Sequence, residues 1–450
     1  MKLTFWIVLC AGIGGILYGY DLSVFSGSIY LIQNQLHLTI KQISLAGGAV
    51  FMGGLIGTML TGYLSDQFGR RAMIIAGSIC FILGILITIN IQSFDEFFFS
   101  RVVLGIAIGV VSVSVPSYLS EIAPTPIRGR SVTIFQLFLT GGILIAYIAN
   151  SLFLPSGNWK ILYILVILPS LILGVSMFYL PESPRWLMSK ERATQALKIL
   201  QLTRPEDEAL ADLEGMKLAH EMDQKSRWQD LLSRHTRRSF FVVLLVAILN
   251  QLTAINSILI YAPAIFKAAG MTGTQNAVDA SILIGLVNFL STVMSMFIVD
   301  KLGRRSLLFF GTMGMTLAYI CLALITHLAL DPLYAVIGMM VFIFCFAVGP
   351  GPIVWLILTE LLPTGVRGKG LAVALFVNSL TSWAIASLFL QIKTDIGIGH
   401  TYLIFAFFTF CYFIVTWTLI PETKQRSLEQ IQDDFTTNHP SHHTYKGRSS

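Results

Sequence analysis

Charged side chains are scarce in this chain: Asp, Glu, Lys and Arg make up 12% of its 450 residues, while 55% are hydrophobic. A typical soluble domain carries about twice that share of charge, and a mean hydropathy of +0.74 leaves too little polar surface to face water on every side. An ordinary soluble enzyme is therefore excluded, and the solvent that the composition implies is lipid. Cysteine is also sparse. Cys10, Cys80, Cys321, Cys345 and Cys411 all sit inside apolar runs, with neither metal-ligand spacing nor a paired framework, and read as small core hydrophobes. No Gly-x-x-x-x-Gly-Lys-Ser/Thr run occurs, so ATP hydrolysis is not the energy source, and Gly12-Ile-Gly-Gly15 lacks the strand-to-helix context of a dinucleotide loop. No cofactor and no metal is expected. His439, His442 and His443 lie in a tail that reads as disordered rather than as a metal site.

What the chain does have is long apolar runs. The first, from Phe5 to about Phe25, is too long for a signal peptide and has no small-residue cleavage pattern, so it is expected to remain as a spanning helix. Windows of about 20 apolar residues, the length needed to cross the hydrocarbon core, fall at 5–25, 44–64, 72–92, 97–119, 131–153 and 161–180. A second set falls at 239–266, 280–299, 306–328, 333–359, 370–391 and 401–420. The polar stretch between the sets, from Glu182 to Arg238, reads as a cluster of short helices. Lys and Arg gather in alternate connections, leaving Lys41, Lys160, Lys267 and Lys393 on the other side and Arg101 inside a span. The excess of positive charge on cytoplasmic loops then predicts both termini in the cytoplasm of a cell (inner or plasma) membrane. It also explains the net charge of +6 without nucleic acid, because the basic residues are spread over short clusters between apolar runs.

Three motifs recur in the same order. Asp66-Gln-Phe-Gly-Arg-Arg71 matches Asp300-Lys-Leu-Gly-Arg-Arg305, Ser120-Glu-Ile-Ala-Pro124 with Arg128-Gly129 matches Thr359-Glu-Leu-Leu-Pro363 with Arg367-Gly368, and Pro181-Glu-Ser matches Pro421-Glu-Thr. One matched pair could be a generic turn with orienting charge. Three in register predict a duplicated plan: a six-helix bundle at 1–181, a helical linker at 182–238, a second six-helix bundle at 239–422 and a tail at 423–450. Duplicated halves of this kind form a substrate cavity at their interface and expose it alternately to each side by rocking. The expected class is all-α membrane transporter.

These motifs carry a resemblance. Gly62-Tyr-Leu-Ser-Asp-Gln-Phe-Gly-Arg-Arg71, Pro181-Glu-Ser-Pro-Arg-Trp-Leu187, Asp300-Lys-Leu-Gly-Arg-Arg305 and Pro421-Glu-Thr-Lys424 resemble the signatures of the sugar porter family of the major facilitator superfamily, over nearly the whole chain. The resemblance implies a major facilitator fold of two pseudo-symmetric six-helix bundles. It also implies that Asp66, Arg70, Arg71, Glu121, Arg128, Glu182, Arg185, Asp300, Arg304, Arg305, Glu360, Arg367 and Glu422 form a charge lattice at the cytoplasmic helix ends, two-state contacts able to bias a switch. Orientation and solubility are the plainer reading of part of that arginine content.

Apart from groups near loops, the predicted spans hold two charged residues, Asp21 in the first and Arg101 in the fourth. An ionisable group inside a bilayer marks function by default, because it is costly unless paired or hydrated. Counting the helix rise puts Asp21 about 24 Å along the outward-running first helix and Arg101 about 6 Å into the inward-running fourth, so both fall in the outer third. A pair at matched depth would hold when Asp21 is ionised and release when it is protonated. A static staple between two helices is the other reading. The sugar porter resemblance supports coupling, since the bacterial proton symporters of that family carry the aspartate of Gly19-Tyr20-Asp21 and an arginine at the position of Arg101.

Neutral amides donate and accept without fixing a charge, which suits the hydroxyls of a sugar. The spans carry Gln136, Asn250, Gln251, Asn256, Asn288 and Asn378, with Trp355 as a stacking face. Hydrogen bonding between helices is the alternative for any one of them. The resemblance implies that they form a hexose site, although Asn250 replaces a Gln, Ser379 stands where a Trp is frequent, and Ala347 replaces a glutamate of the mammalian facilitators. The glycines of Gly53, Gly57, Gly105 and Gly109 read as helix packing. The expectation is a proton-coupled importer of a hexose or pentose, not an enzyme, acting as a monomer in lipid with sugar and proton as its partners. An uncoupled facilitator, a polyol symporter and a non-transporting sugar receptor are the competing readings.

Overall fold

Long apolar runs form helices because lipid offers no partner to backbone N–H and C=O groups, which must bond within their own segment. The computed structural model describes residues 2–124, 128–225, 227–233, 236–363 and 365–424, with the side chains of 2–6, 10, 128–132, 219–225 and 300 outside that description. Among the described residues every regular element is helical, and twelve helices are long and apolar enough to cross a membrane. In chain order the spans are Ile7–Leu36, Ile40–Phe68, Arg70–Thr88, Phe94–Ile122, Thr133–Ser156, Lys160–Tyr179, Arg237–Ala268, Thr274–Val299, Arg304–His327, Pro332–Glu360, Arg367–Ile396 and Ile398–Leu419.

Two of these run well past their predicted windows. The first helix continues to Leu36 and the eighth begins at Thr274. A hydropathy window stops at polar residues, but these polar ends pack against protein and find partners there. Gln35 accepts a hydrogen bond from the indole nitrogen of Trp159 at 2.8 Å, and Asp279 accepts one from Ser151 at 2.5 Å. Asp279 is thus a charge inside the eighth helix that the expectation of two charged span residues left out.

The seventh span is broken within its length among polar residues, and the tenth at Gly349-Pro350. The seventh consists of Arg237–Leu252 and Ile255–Ala268, joined through Ala254 in the left-handed region at φ 58°. That conformation costs an alanine about 1–2 kcal/mol. The tenth consists of Pro332–Val348 and Pro350–Glu360.

The second and third spans meet at Gly69, φ 94°, and the eighth and ninth meet at Gly303, φ 89°. These equivalent turns, the first and last described residues (2 and 424) and the linker share one face of the bundle, here the terminal face. Close crossings are built on glycine. A Cβ on Gly53 or Gly57 would lie 2.1 and 2.3 Å from the carbonyl oxygens of Val102 and Ile106, and one on Gly19 would lie 1.9 Å from that of Leu139. The second span is therefore pressed onto the fourth and the first onto the fifth, which fixes the elements that carry Asp21 and Arg101.

The first six spans and the last six meet along three helix pairs: second with eleventh, fifth with eighth, first with seventh. Among the described residues, five hydrogen bonds cross this seam toward the face opposite the termini. Ser44 donates to the carbonyl of Ser387 at 2.6 Å, Tyr261 to that of Ser44 at 3.4 Å, and Tyr147 to that of Leu259 at 2.7 Å. Ser151 donates to Asp279, and Gln275 donates to the carbonyl of Ser151 at 3.1 Å. Glycine lets side chains of the other half reach the backbone here, since a Cβ on Gly47 would lie 1.9 Å from the Tyr261 hydroxyl and one on Gly48 1.8 Å from that of Ser387. The seam is shut at this face.

Between the halves run helices Pro184–Ser189, Ala193–Gln201 and Glu206–Lys225, followed by a 3-10 turn at Trp228–Leu232. Arg204 ties the linker to the first six spans through the carbonyl of Ile122 at 2.9 Å, while Leu231 is buried in the core of the last six.

Candidate functional site

Asp21 and Arg101 meet. Arg101 donates from Nη1 to both carboxylate oxygens of Asp21, at 3.3 and 3.2 Å, and both residues are buried, at 1% and 0% exposure. A buried pair of this kind is strongly destabilised when one partner is removed, because the other charge is left uncompensated. The guanidinium also lies 5.0 Å from the centre of the Phe25 ring, within cation–π range. Phe25 is held in turn by a stacked Phe97 and by the edge of Tyr261, 6.2 Å between ring centres. Tyr261 belongs to the other half, stacks on Phe389 at 5.8 Å and donates to the carbonyls of Ser44 and Ala386. The buried ion pair is one ring away from a residue that crosses the shut seam. Asp21 has a further fifteen helical residues beyond it, so counting rise from a predicted end misjudged its depth, although the pairing depends on contact and not on that count.

Of the seven expected sugar-facing residues, three are joined. Gln251 donates to Asn378 at 3.1 Å and accepts from Asn256 at 2.9 Å, and Asn256 also donates to Ser382 at 2.9 Å. Ser382 was not singled out from the sequence. The triad sits at the break of the seventh span. There Tyr319 donates to the freed carbonyl of Thr253 at 2.5 Å, and the Thr253 hydroxyl donates to the backbone carbonyl of Asn250 at 2.7 Å. Broken helices of this type are where cavities and ligand sites form in membrane proteins. Asn250 is buried, and its side-chain oxygen has no hydrogen-bond partner. Asn288 is buried on the eighth span, Gln136 is half-buried on the fifth, and Trp355 is 43% exposed on the tenth. None of these three is hydrogen-bonded to the triad among the described residues.

At the terminal face two carboxylates, Glu182 and Glu422, are seated on backbone N–H groups. Glu182 accepts from the N–H groups of Arg70 at 3.1 Å, Arg71 at 3.2 Å and Ser183 at 2.7 Å. In the second half Glu422 accepts from the N–H groups of Arg304 at 2.9 Å, Arg305 at 3.2 Å and Lys424 at 3.0 Å. The orphan donors of a helix start are a natural anion seat, and glycine keeps each seat open. A Cβ on Gly69 would lie 2.3 Å from the Glu182 carboxylate and one on Gly303 2.5 Å from that of Glu422. Burial pushes the Glu182 carboxyl up from the usual range, opposed by these N–H bonds and by the charge of Arg70. Neither glycine was named from the sequence, although both recur within the repeated motif.

Side-chain pairs surround each seat. Arg70 contacts Asp66 at 3.2 Å and Glu121 at 3.1 Å, Glu121 also accepts from Ser183, and Arg304 lies 3.8 Å from Glu360. Arg71 donates to the carbonyl of Phe178 at 3.0 Å, Arg305 to that of Trp417 at 2.6 Å and Arg367 to that of Leu362 at 3.2 Å. Arg185 is exposed. The side chains of Arg128 and Asp300 lie outside the described residues, as do the tail histidines. No cluster of His, Cys, Asp or Glu fit for a metal ion occurs among the described residues, and Cys80, Cys321, Cys345 and Cys411 are free thiols.

Residues 7–435 match a family model described as sugar (and other) transporter. The chain is 30% identical to a galactose-proton symporter of Escherichia coli over 96% of its own length and 94% of the relative's. It is 31% identical to an arabinose-proton symporter of E. coli, covering 96% and 93%, and 32% identical to a glucose transporter of Staphylococcus epidermidis, covering 96% and 97%. Among solved structures it is similar to the E. coli xylose transporter XylE in a partially occluded inward-open conformation. That likeness has a TM-score of 0.84 and 25% identity over 95% of this chain and all of the other. It is also similar to the proton:xylose symporter XylE bound to 6-bromo-6-deoxy-D-glucose, with a TM-score of 0.83 and 26% identity over 96% and 98%.

Proposed function

The chain belongs to the sugar transporter family, as a multi-pass membrane protein of the major facilitator fold, and we propose that it imports a monosaccharide, hexose or pentose, by proton symport through alternating access. The observation that carries this reading is the buried contact of Asp21 with Arg101, one aromatic ring from the seam between the halves. When Asp21 is ionised, Arg101 is neutralised and held beside Phe25. Protonation removes the opposite charge, the guanidinium must find another partner or water, and the packing of Phe25 on Tyr261 is released. The shut face then opens, and a ligand that prefers one of the two arrangements shifts the population toward it.

The amide cluster supplies the sugar site. Gln251, Asn256 and Asn378 satisfy one another without ligand, so an arriving sugar exchanges hydroxyl bonds for bonds already made and leaves no amide bare. Gln136, Asn288, Asn250 and Trp355 complete the pocket when the halves rock together. The terminal face is cytoplasmic, on the strength of the Lys and Arg gathered there. Asp66, Arg70, Arg71, Glu121, Arg128, Glu182, Arg185, Asp300, Arg304, Arg305, Glu360, Arg367 and Glu422 form the gate on that side. The bundles at 1–181 and 239–422 are the moving bodies, 182–238 is the tether, and one chain suffices. A panel of radiolabelled sugars in proteoliposomes, with and without an imposed pH gradient, tests the reading. Concentrative uptake of a monosaccharide driven by an acid exterior is the expected result, and sugar flux indifferent to the gradient overturns the coupling.

A further inference from the structure

The ends of the fifth and eighth spans carry a polar knot that the transport chemistry above does not use. Ser151, in the last turns of the fifth span, donates from its hydroxyl to Asp279 Oδ1 at 2.5 Å. Gln275, one turn before Asp279 on the eighth span, donates from one nitrogen to the same carboxylate oxygen at 2.8 Å and to the backbone carbonyl of Ser151 at 3.1 Å. Two of these three bonds cross between the halves. The carbonyl that Gln275 caps is an orphan of the helix end, which its own helix cannot satisfy. The bond to Asp279 is short and charge-assisted, the stronger class of hydrogen bond.

The surroundings make the knot a latch and not a decoration. Below it the same two helices touch through Gly285, where a Cβ would lie 2.8 Å from the Tyr147 ring and 3.1 Å from the Leu144 backbone. Tyr147 also reaches the seventh span at Leu259. Any rocking that opens this face must separate Ser151 from Asp279. Asp279 and Gln275 are half-buried, so water can replace the lost partners once the face opens. The bonds therefore favour the shut state without penalising the open one with stranded polar groups.

We propose that Ser151, Gln275 and Asp279 form a latch between the halves that sets how often the face opposite the termini opens, with Asp279 as a positioning residue of the transport cycle. This rests on the alternating-access reading above. The test is hydrogen exchange on the purified full-length protein in nanodiscs, without sugar or gradient, comparing Ser151→Ala, Asp279→Ala and the double variant.

Each single variant is expected to raise exchange on the order of tenfold in peptides from the shut ends of the second, seventh and eighth spans, and to lower exchange, not raise it, in peptides at the terminal face, which closes as the opposite face opens. The double variant is expected to add little, because either change alone breaks the Ser151–Asp279 bond. In vesicle uptake the single variants are expected to shift KM and kcat in different proportions. Unchanged exchange at the shut ends, a uniform rise over the whole chain, or additive effects in the double variant each overturn the latch. The exchange readout needs no transported sugar, so loss of the latch with intact flux, and loss of flux with an intact latch, are told apart.

Discussion

Arg101 and Asp21 are each other's charged partner in a place neither could occupy alone: both side chains are shut off from solvent, and one guanidinium nitrogen spans the two carboxylate oxygens at 3.3 and 3.2 Å. The energetic consequence is asymmetric. The pair as a whole adds little stability, but removing one member leaves a buried charge and costs about 3–5 kcal/mol. A proton on Asp21 has the same effect as deleting that member, so protonation can be felt across the fold.

Asp21→Asn keeps the size and hydrogen-bonding shape of the carboxyl group and removes its charge. Sugar exchange across proteoliposomes without a gradient is expected to persist, while accumulation driven by an acid exterior collapses to passive equilibration. Accumulation that survives the substitution unchanged rules out Asp21 as the coupling group.

Gln251→Ala removes the residue that joins Asn256 to Asn378. Losing one such amide from a polar site costs about 1–3 kcal/mol, so KM for the transported sugar should rise roughly ten- to a hundredfold with the fold intact. Isothermal titration with the best sugar of the panel checks this, and unaltered affinity places the sugar elsewhere.

Gly69→Ala and Gly303→Ala each push a methyl group into a carboxylate and add about 1–3 kcal/mol of strain, because the positive φ with extended ψ at both positions is essentially open to glycine alone. Both should lower the yield of folded protein and slow transport. Gly62→Ala, in the same motif with open space around its Cβ, serves as the comparison and should behave as the parent.

Tyr319→Phe strips the hydroxyl from the Thr253 carbonyl at the break of the seventh span. A buried acceptor left unpaired costs about 1–3 kcal/mol. A lower melting temperature in detergent is expected, together with weaker sugar binding, because Asn250 and Gln251 lie on the turn that this bond holds. A melting temperature equal to the parent's would mean that water or a shifted backbone fills the gap.

Much of the plan was legible in the chain because lipid imposes simple rules. A helix must be apolar for about 20 residues to cross, so twelve spans follow from apolar length alone. An isolated charge in such a run stands out, and Asp21 and Arg101 did. Asp279 did not stand out, because it lies where a window average falls below threshold and so looked like part of a loop. Gly69 and Gly303 were visible as letters of a repeated motif. Their task depends on where Glu182 and Glu422 arrive from more than a hundred residues away, which no local pattern encodes.

By itself the sequence determined which segments enter lipid, that the plan is duplicated, and which polar residues are costly enough in a bilayer to need a reason. These follow from one-dimensional properties: apolar length, spacing and the price of burying charge. Only the tertiary structure decided which face of the seam is shut, that Gln251, Asn256 and Asn378 hydrogen-bond to one another while Gln136 and Asn288 form no hydrogen bond to them, and that Ser151 closes on Asp279. Those outcomes depend on helix rotation and crossing. Rotation and crossing are set by close contacts such as that of Gly19 with Leu139, and a contact between distant residues has no signature in either one's neighbourhood.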